Sequence, residues 1–248
     1  MGIVTIGIDI GQKRDPTAIA VVEQENRNRV SESNQYATVT RGPAAEHHMV
    51  RHLERLPLGT PYPDITKRLG EIIERVRLQT AQRAADQEGW IPDHHPSRIS
   101  PYVNLTVYVD ATGVGQPVVD LLTAAKTVVN PVYFTHGDRR TEEKQVYPLK
   151  GVSVSLGKAW LVSRLQALLQ TGRIHLPDTN EARVLAKELQ DYEIKVTEDA
   201  NDKYGAFKVG THDDLVTALG LAVQGCQKPR GVYQSNSRYD SPPGRIPR

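Results

Sequence analysis

The chain has 248 residues, 38% hydrophobic and 24% charged, with a formal net charge of +2. That balance describes a globular chain long enough to bury a sizeable core, and it excludes nucleic-acid binding through bulk charge alone, so any basic footprint must be local. The single cysteine, Cys226, excludes an intramolecular disulfide and a Cys-based zinc site and fits a reducing compartment. No apolar run reaches the roughly 18 residues of a membrane span and the N-terminus lacks a signal-peptide core, so a cytoplasmic chain without membrane contact is expected.

Ile6, Ile8 and Ile10 alternate with small or charged residues, which predicts a first strand over residues 3–10 with Asp9 on it. A turn at Gln12–Pro16 leads to a second strand, Ala18–Glu23. Tyr36–Arg41 (YATVTR) alternates apolar and polar and predicts the third strand of an antiparallel meander. His47–Leu56 reads equally as strand or helix. Pro57–Pro63, with three prolines and a glycine, is a connector. Asp64 is expected to cap a helix whose apolar residues Ile65, Leu69, Ile72, Ile73 and Val76 recur at helical spacing to about Glu88. Gly89–Pro101 is a proline-rich loop, and Leu105–Asp110 (LTVYVD) is a strand ending on a second carboxylate. Pro117 suits the start of a helix over Val118–Lys126, before a strand at Val128–Phe134.

His136–Tyr147 is charged and expected to be mobile. Ala159–Gln170 is an amphipathic helix that Gly172 closes as a C′ glycine, followed by a short edge strand at Ile174–Leu176. Glu181–Gln190 predicts a further helix. Tyr192–Thr197 and Ala206–Val209 predict a hairpin around EDANDKYG, and the last helix runs from near Thr211 to about Gly225. Lys228–Arg248 has four prolines and no apolar period, and reads as a disordered basic tail. The expected class is α/β, a mixed central sheet flanked by helices, forming one domain over residues 1–226 with a tail over 227–248.

Three carboxylate sites fall at element ends: Asp9, Asp110, and the pair Asp213–Asp214 in THDDLVTALGLA. Hard divalent cations such as Mg²⁺ take oxygen ligands, and two ions about 3.5–4 Å apart serve metal-dependent phosphodiester hydrolysis. Each site also has a plain reading. Asp9 alone suits a turn, Asp110 suits an Asx-turn before Ala-Thr-Gly, and Thr211 with Asp214 fits a capping box. The glycines of DIGQKRDPT and DATGVG loosely match the phosphate loops of the actin and sugar-kinase group. That group needs a second such domain, however, and the sequence holds neither a third glycine-rich loop nor a Walker A motif.

GIDIGQKRDPTAIAVVE, VYVDATGVGQPVVDLL, GKAWLVSRLQALLQTGRIHLP, ELQDYEIKV and HDDLVTALGLA occur in the order seen in the C-terminal nuclease domain of tailed-phage terminase large subunits. The chain resembles that family from Gly2 to Gln224. The resemblance implies an RNase H-like fold and a two-metal endonuclease using Mg²⁺ or Mn²⁺ on double-stranded DNA, with Asp9, Asp110 and one or both of Asp213 and Asp214 as catalytic metal ligands. It also implies partners in a packaging ATPase, a small terminase subunit or a portal. Full large subunits carry that ATPase at their N-terminus, whereas this chain begins at Met1 directly on the nuclease strand. The expectation is therefore an excised domain, a split-gene product or a stand-alone relative. Two alternatives stay open: a non-catalytic DNA-binding or motor-docking module, and an RNase H-like resolvase acting on branched DNA.

An anionic centre that acts on DNA needs basic residues beside it. The candidates are Arg139, Arg140 and Lys144 in the charged stretch, and Lys203 and Lys208 on the hairpin, all expected to contact phosphates. Their plain reading is a solvated loop and hairpin tip. His47–His48 and His94–His95 are expected at the surface, and His212 adjoins the acidic pair. The aromatic residues form no stripe for stacking single strands, which favours duplex DNA.

Overall fold

The structure, a computed structural model, describes residues 3–11, 15–27, 30–31, 40–41, 45–88, 105–145, 151–196, 202–205 and 212–224. β1 (Ile3–Asp9) lies inside the sheet, and its side chains alternate between the two faces. β2 (Ala18–Arg27) pairs antiparallel with it, after which β3 (Val30–Ser31) and β4 (Thr40–Arg41) form a separate two-stranded ladder. β5 (Ala45–Arg55) pairs antiparallel with β2, and α1 (Tyr62–Glu88) follows. β6 (Leu105–Asp110) returns parallel to β1, and α2 (Gln116–Ala124) leads to β7 (Asn130–Thr135), parallel to β6. β8 (Arg140–Gln145) and β9 (Gly151–Gly157) form an antiparallel pair, with β9 parallel to β7. α3 (Lys158–Gln170), β10 (Ile174–His175), α4 (Asn180–Asp191), the hairpin β11 (Glu193–Val196) and β12 (Asp202–Gly205), and α5 (Asp214–Gln224) complete the described chain.

The eight-stranded mixed sheet has the order β10-β5-β2-β1-β6-β7-β9-β8. Apolar side chains seal both faces. Val4, Ile6, Ile8, Ile19, Val107 and Val109 meet Ile65, Leu69, Ile72 and Ile73 of α1 and Val118, Val119 and Leu122 of α2. On the other face Ala18, Ala20, Val22, Val132, Val154 and Leu156 meet α3, α4 and α5. α5 is buried along its whole length. It lies directly on β1, where a Cβ on Gly7 would stand 2.1 Å from the carbonyl oxygen of Ala218. Only glycine allows so close an approach.

Several elements differ from the sequence reading. Thr40–Arg41 of the expected Tyr36–Arg41 strand pairs with β3, and residues 36–39 lie outside the described residues. The next strand to pair with β2 is β5, from the ambiguous His47 segment. Ten ladder pairs with β2 and the burial of Val50 and Leu53 decide the matter for a stretch whose long polar residues carry no clear period. His48, expected at the surface, is wholly buried on that strand. The stretch expected to be mobile contains β8, whose exposed charges suit an edge strand. β9 was not expected, because serines and glycines occupy four of the seven positions of GVSVSLG. α1 begins at Tyr62, so Asp64 lies within its first turn, with its N–H on the Pro61 carbonyl at 3.0 Å. The second hairpin strand is Asp202–Gly205, taken from residues expected in the turn. The Gly89–Pro101 loop, His94–His95, Ala206–Val209, Lys208, Thr211 and the tail over 227–248 lie outside the described residues.

The C-terminal end of α3 matches expectation. Gly172 has φ +63°, its N–H reaches the Leu169 carbonyl at 3.0 Å, and the Arg173 N–H reaches that of Leu168 at 2.8 Å, which together make a Schellman motif.

Candidate metal centre

The parallel register of β1 on β6 pairs Ile8 with Val109, so Asp9 and Asp110 end neighbouring strands side by side. Asp9 shares its face with Thr5 and Gly7, and Asp110 with Tyr108, so both carboxylates emerge beneath the start of α5. Their carboxyl groups share a hydrogen bond. Two carboxylates so close repel each other, which disfavours their both being ionised unless a cation lies with them. Burial first, and then the charges of Asp110, Asp214 and Asp213, hold Asp9 well above the usual carboxylate range. Burial also raises Asp110, against the Thr112 hydrogen bonds and the field of Lys158. The plain reading of Asp110 holds as well. Its Oδ1 accepts the Thr112 N–H at 2.8 Å as an Asx-turn, and Thr112 Oγ1 then accepts the Phe134 N–H at 2.8 Å.

The close approach at Gly7 brings the acidic end of α5 over these strand ends, since Ala218 is about one turn beyond Asp214. The Asp213 carbonyl accepts the Thr217 N–H at 2.8 Å, which makes Asp213 the helix cap residue. Its side chain is half-buried. Asp214 is only 2% exposed. Its Oδ2 lies 2.8 Å from Arg55 Nε, and its Oδ1 lies 3.8 Å from His212 Nδ1. Burial raises the Asp214 carboxyl, while Arg55 and His212 oppose the rise.

His212 Nδ1 is also 3.8 Å from Oδ1 of Asp15, in the turn after β1. That nitrogen is inaccessible and has no hydrogen-bond partner among the described residues. Asp15, His212 and Asp214 offer ligand atoms all within 4.8 Å of one another, a set able to hold a cation. Of the expected turn Gln12–Pro16, residues 12–14 lie outside the described residues, and Gly11 and Asp15 on either side lie close together. A Cβ on Gly11 would stand 1.9 Å from the Asp15 carbonyl oxygen, and the Gly11 N–H donates to Thr17 Oγ1 at 3.1 Å.

The expected basic residues are dispersed. Arg139 and Arg140 stand at the site end of the sheet, where the Gly157 N–H donates to the Arg139 carbonyl at 2.7 Å and Arg140 pairs with Leu156. The Arg140 guanidinium is held by Glu142. Lys144 faces Val152, four residues further along β8 and roughly 13 Å away. Lys203 lies on β12 of the separate hairpin.

Three charged residues near the centre went unread in the sequence. Lys158 opens α3 with its Nζ 5.4 Å from the Phe134 ring centroid, and its field lowers both Asp9 and Asp110. Its signal was a lysine at a strand-to-helix junction, but β9 had to be recognised first. Arg55 contacts both Asp214 and Glu188, and Glu188 is buried on α4. Nothing in sequence spacing joins residues so far apart.

The sequence matches no curated protein. Three crystal structures of the large terminase nuclease from the thermophilic phage G20c share the fold. One matches at 19% identity with a TM-score of 0.52, covering 90% of this chain and 82% of that one. The magnesium-bound form matches at 18% identity and TM-score 0.50, and the cobalt-bound form at 21% and 0.52, each covering 90% of this chain and 81% of that one. Residues 81–225, more than half of the chain, match the model of the terminase RNase H-like domain, and the chain belongs to that family.

Proposed function

We propose that the chain is a metal-dependent endonuclease that hydrolyses phosphodiester bonds of double-stranded DNA with two Mg²⁺ or Mn²⁺ ions. The observation that carries this reading is the pairing of Asp9 and Asp110 at adjacent parallel strand ends beneath the Asp213–Asp214 start of α5. Four carboxylates gathered against Lys158, Arg55 and His212 suit cations. The orphaned His212 Nδ1 between Asp15 and Asp214 points the same way. The similar phage nuclease is recorded with magnesium and with cobalt, which supports divalent cations here.

Asp9 and Asp110 would hold one cation, with Asp9 bridging to a second held by Asp213 or Asp214. When bound, such ions activate the attacking water and stabilise the leaving oxygen. The ionised forms of Asp9 and Asp110 would be favoured by bound cations, because carboxylate ligands bind deprotonated. Asp214 keeps one oxygen on Arg55 and turns the other towards the site. Lys158, at the edge of the acidic group, offers a phosphate-directed charge, and Arg139 adds another on the same side.

Plasmid nicking in Mn²⁺ or Mg²⁺ tests the reading. Asp9→Ala is expected to lose at least about 100-fold in rate, beyond the roughly 10–100-fold typical of losing a residue that only orients a ligand. Wild-type cleavage by that variant would falsify the assignment. Mn²⁺ at about 100 times its dissociation constant is expected to add about 2.7 kcal/mol of stability. The same cation should leave the melting temperature of Asp9→Ala nearly unmoved. A wild-type protein without any shift at millimolar Mn²⁺ would instead favour a DNA-binding module that keeps the fold.

A further inference from the structure

Arg55 is the last residue of β5, and it sits in one row with the acidic pair. Its ladder partner on β2 is Ala18, whose partner on β1 is Asp9. Residues of one row share a face, so the Arg55 side chain leaves the sheet on the side of Asp9, two strands and about 10 Å away. Ala18 between them is small and buried, which leaves room above it for the first turn of α5.

Arg55 spans two buried carboxylates there. Its Nε lies 2.8 Å from Asp214 Oδ2, an ion pair that is not aligned as a hydrogen bond, and its Nη2 donates to Glu188 Oε1. Glu188 Oε2 in turn accepts the Leu215 N–H at 3.2 Å, one of the donors left open at the start of α5. Residues of β5, α4 and α5 thus meet at the helix turn that faces Asp9. A planar guanidinium fixes the groups it binds far more tightly than an ammonium does.

We infer that Arg55, braced by Glu188, is a positioning residue that occupies Asp214 Oδ2 and thereby presents Asp214 Oδ1 to a divalent cation. The inference rests on the metal-dependent reading above. Arg55 touches neither DNA nor the reacting atoms in this arrangement. It sets cation affinity by fixing one carboxylate, and it prevents Asp214 from chelating with both oxygens. Such outer partners typically govern metal affinity by about 10–100-fold.

The test measures Mn²⁺ binding by calorimetry without DNA, beside the metal-free melting temperature. Arg55→Lys keeps the charge and loses the planar fork, so it is expected to fold with a near-wild-type melting temperature and to bind Mn²⁺ about tenfold more weakly. Arg55→Gln removes the charge as well, and its loss should approach 100-fold. Raising Mn²⁺ should restore most of the nicking rate of Arg55→Lys, because the defect is in occupancy. Wild-type Mn²⁺ affinity in folded Arg55→Lys would overturn the inference and leave the nuclease reading standing. Failure of the wild-type protein to bind Mn²⁺ at all would overturn both.

Discussion

Along β1, Val4, Ile6 and Ile8 go under α1 and α2, whereas Thr5, Gly7 and Asp9 lie beneath α5. The first face is close to a plain apolar core. The second holds the acidic strand ends, the Arg55–Glu188–Asp214 ion cluster and a wholly buried histidine. A period of two thus lets one strand serve a sealing face and a chemical face at once, with little interference between them. Stability on one face and site geometry on the other should therefore respond to different mutations.

The largest expected effect breaks the two faces apart directly. Ile6→Ala opens the apolar face and should cost about 2–5 kcal/mol in urea unfolding. Mn²⁺ affinity of the folded variant should stay at the wild-type level. Gly7→Ala should cost about 1–3 kcal/mol, because its Cβ would meet the Ala218 and Ala222 backbone. Here α5 must move, carrying Asp213 and Asp214 with it, and Mn²⁺ affinity should fall. Equal effects of the two variants on Mn²⁺ binding would refute the separation.

A second prediction concerns the polar cost of the chemical face. His48 is wholly buried, its ring nitrogens lack hydrogen-bond partners among the described residues, and its neighbours Arg164, His47, Arg173 and His175 are basic. Burial, aided by those charges, pushes its pKa down from 6.5 to about 4. Between these values the unfolded chain binds the proton that the folded chain refuses. Stability from this residue is therefore intact above pH 6.5 and declines as pH falls towards 4, by about 3 kcal/mol in all. His48→Leu should flatten that part of the stability profile relative to wild type. Parallel profiles for the two proteins between pH 7 and 4.5 would reject the account.

The same contrast explains what was legible in the sequence. Asp9, Asp110 and the Asp213–Asp214 pair stand out because a carboxylate at an element end breaks a local pattern. Their partners do not break any pattern. Arg55 ends a strand whose histidines and arginines hide its period, Glu188 is one of several charges on an amphipathic helix, and Lys158 follows a strand of alternating serines. Each gains its meaning from a row or a packing contact between elements distant in sequence. Thr40–Arg41, the described end of the alternating stretch Tyr36–Arg41, shows the converse, since it pairs in the separate β3–β4 ladder. Local period identifies strand character, but long antiparallel pairing and apolar burial select the strands that join.

The smallest effect sharpens the comparison from the sealing face. α2 ends as α3 does, with the Lys126 N–H on the Thr123 carbonyl at 2.9 Å and the Thr127 N–H on that of Leu122 at 2.9 Å. α3 has Gly172 at the left-handed position, whereas α2 has Lys126 there at φ +58°. A side chain in that conformation costs about 1 kcal/mol relative to glycine. Lys126→Gly should therefore stabilise the protein by up to about 1 kcal/mol, less whatever the looser unfolded chain gains in entropy. Because α2 packs on the face away from Asp9, nicking rate and Mn²⁺ affinity should not change. A gain in stability accompanied by altered Mn²⁺ binding would mean that strain at the end of α2 reaches the acidic centre through β6 and β7, and that the two faces are coupled after all.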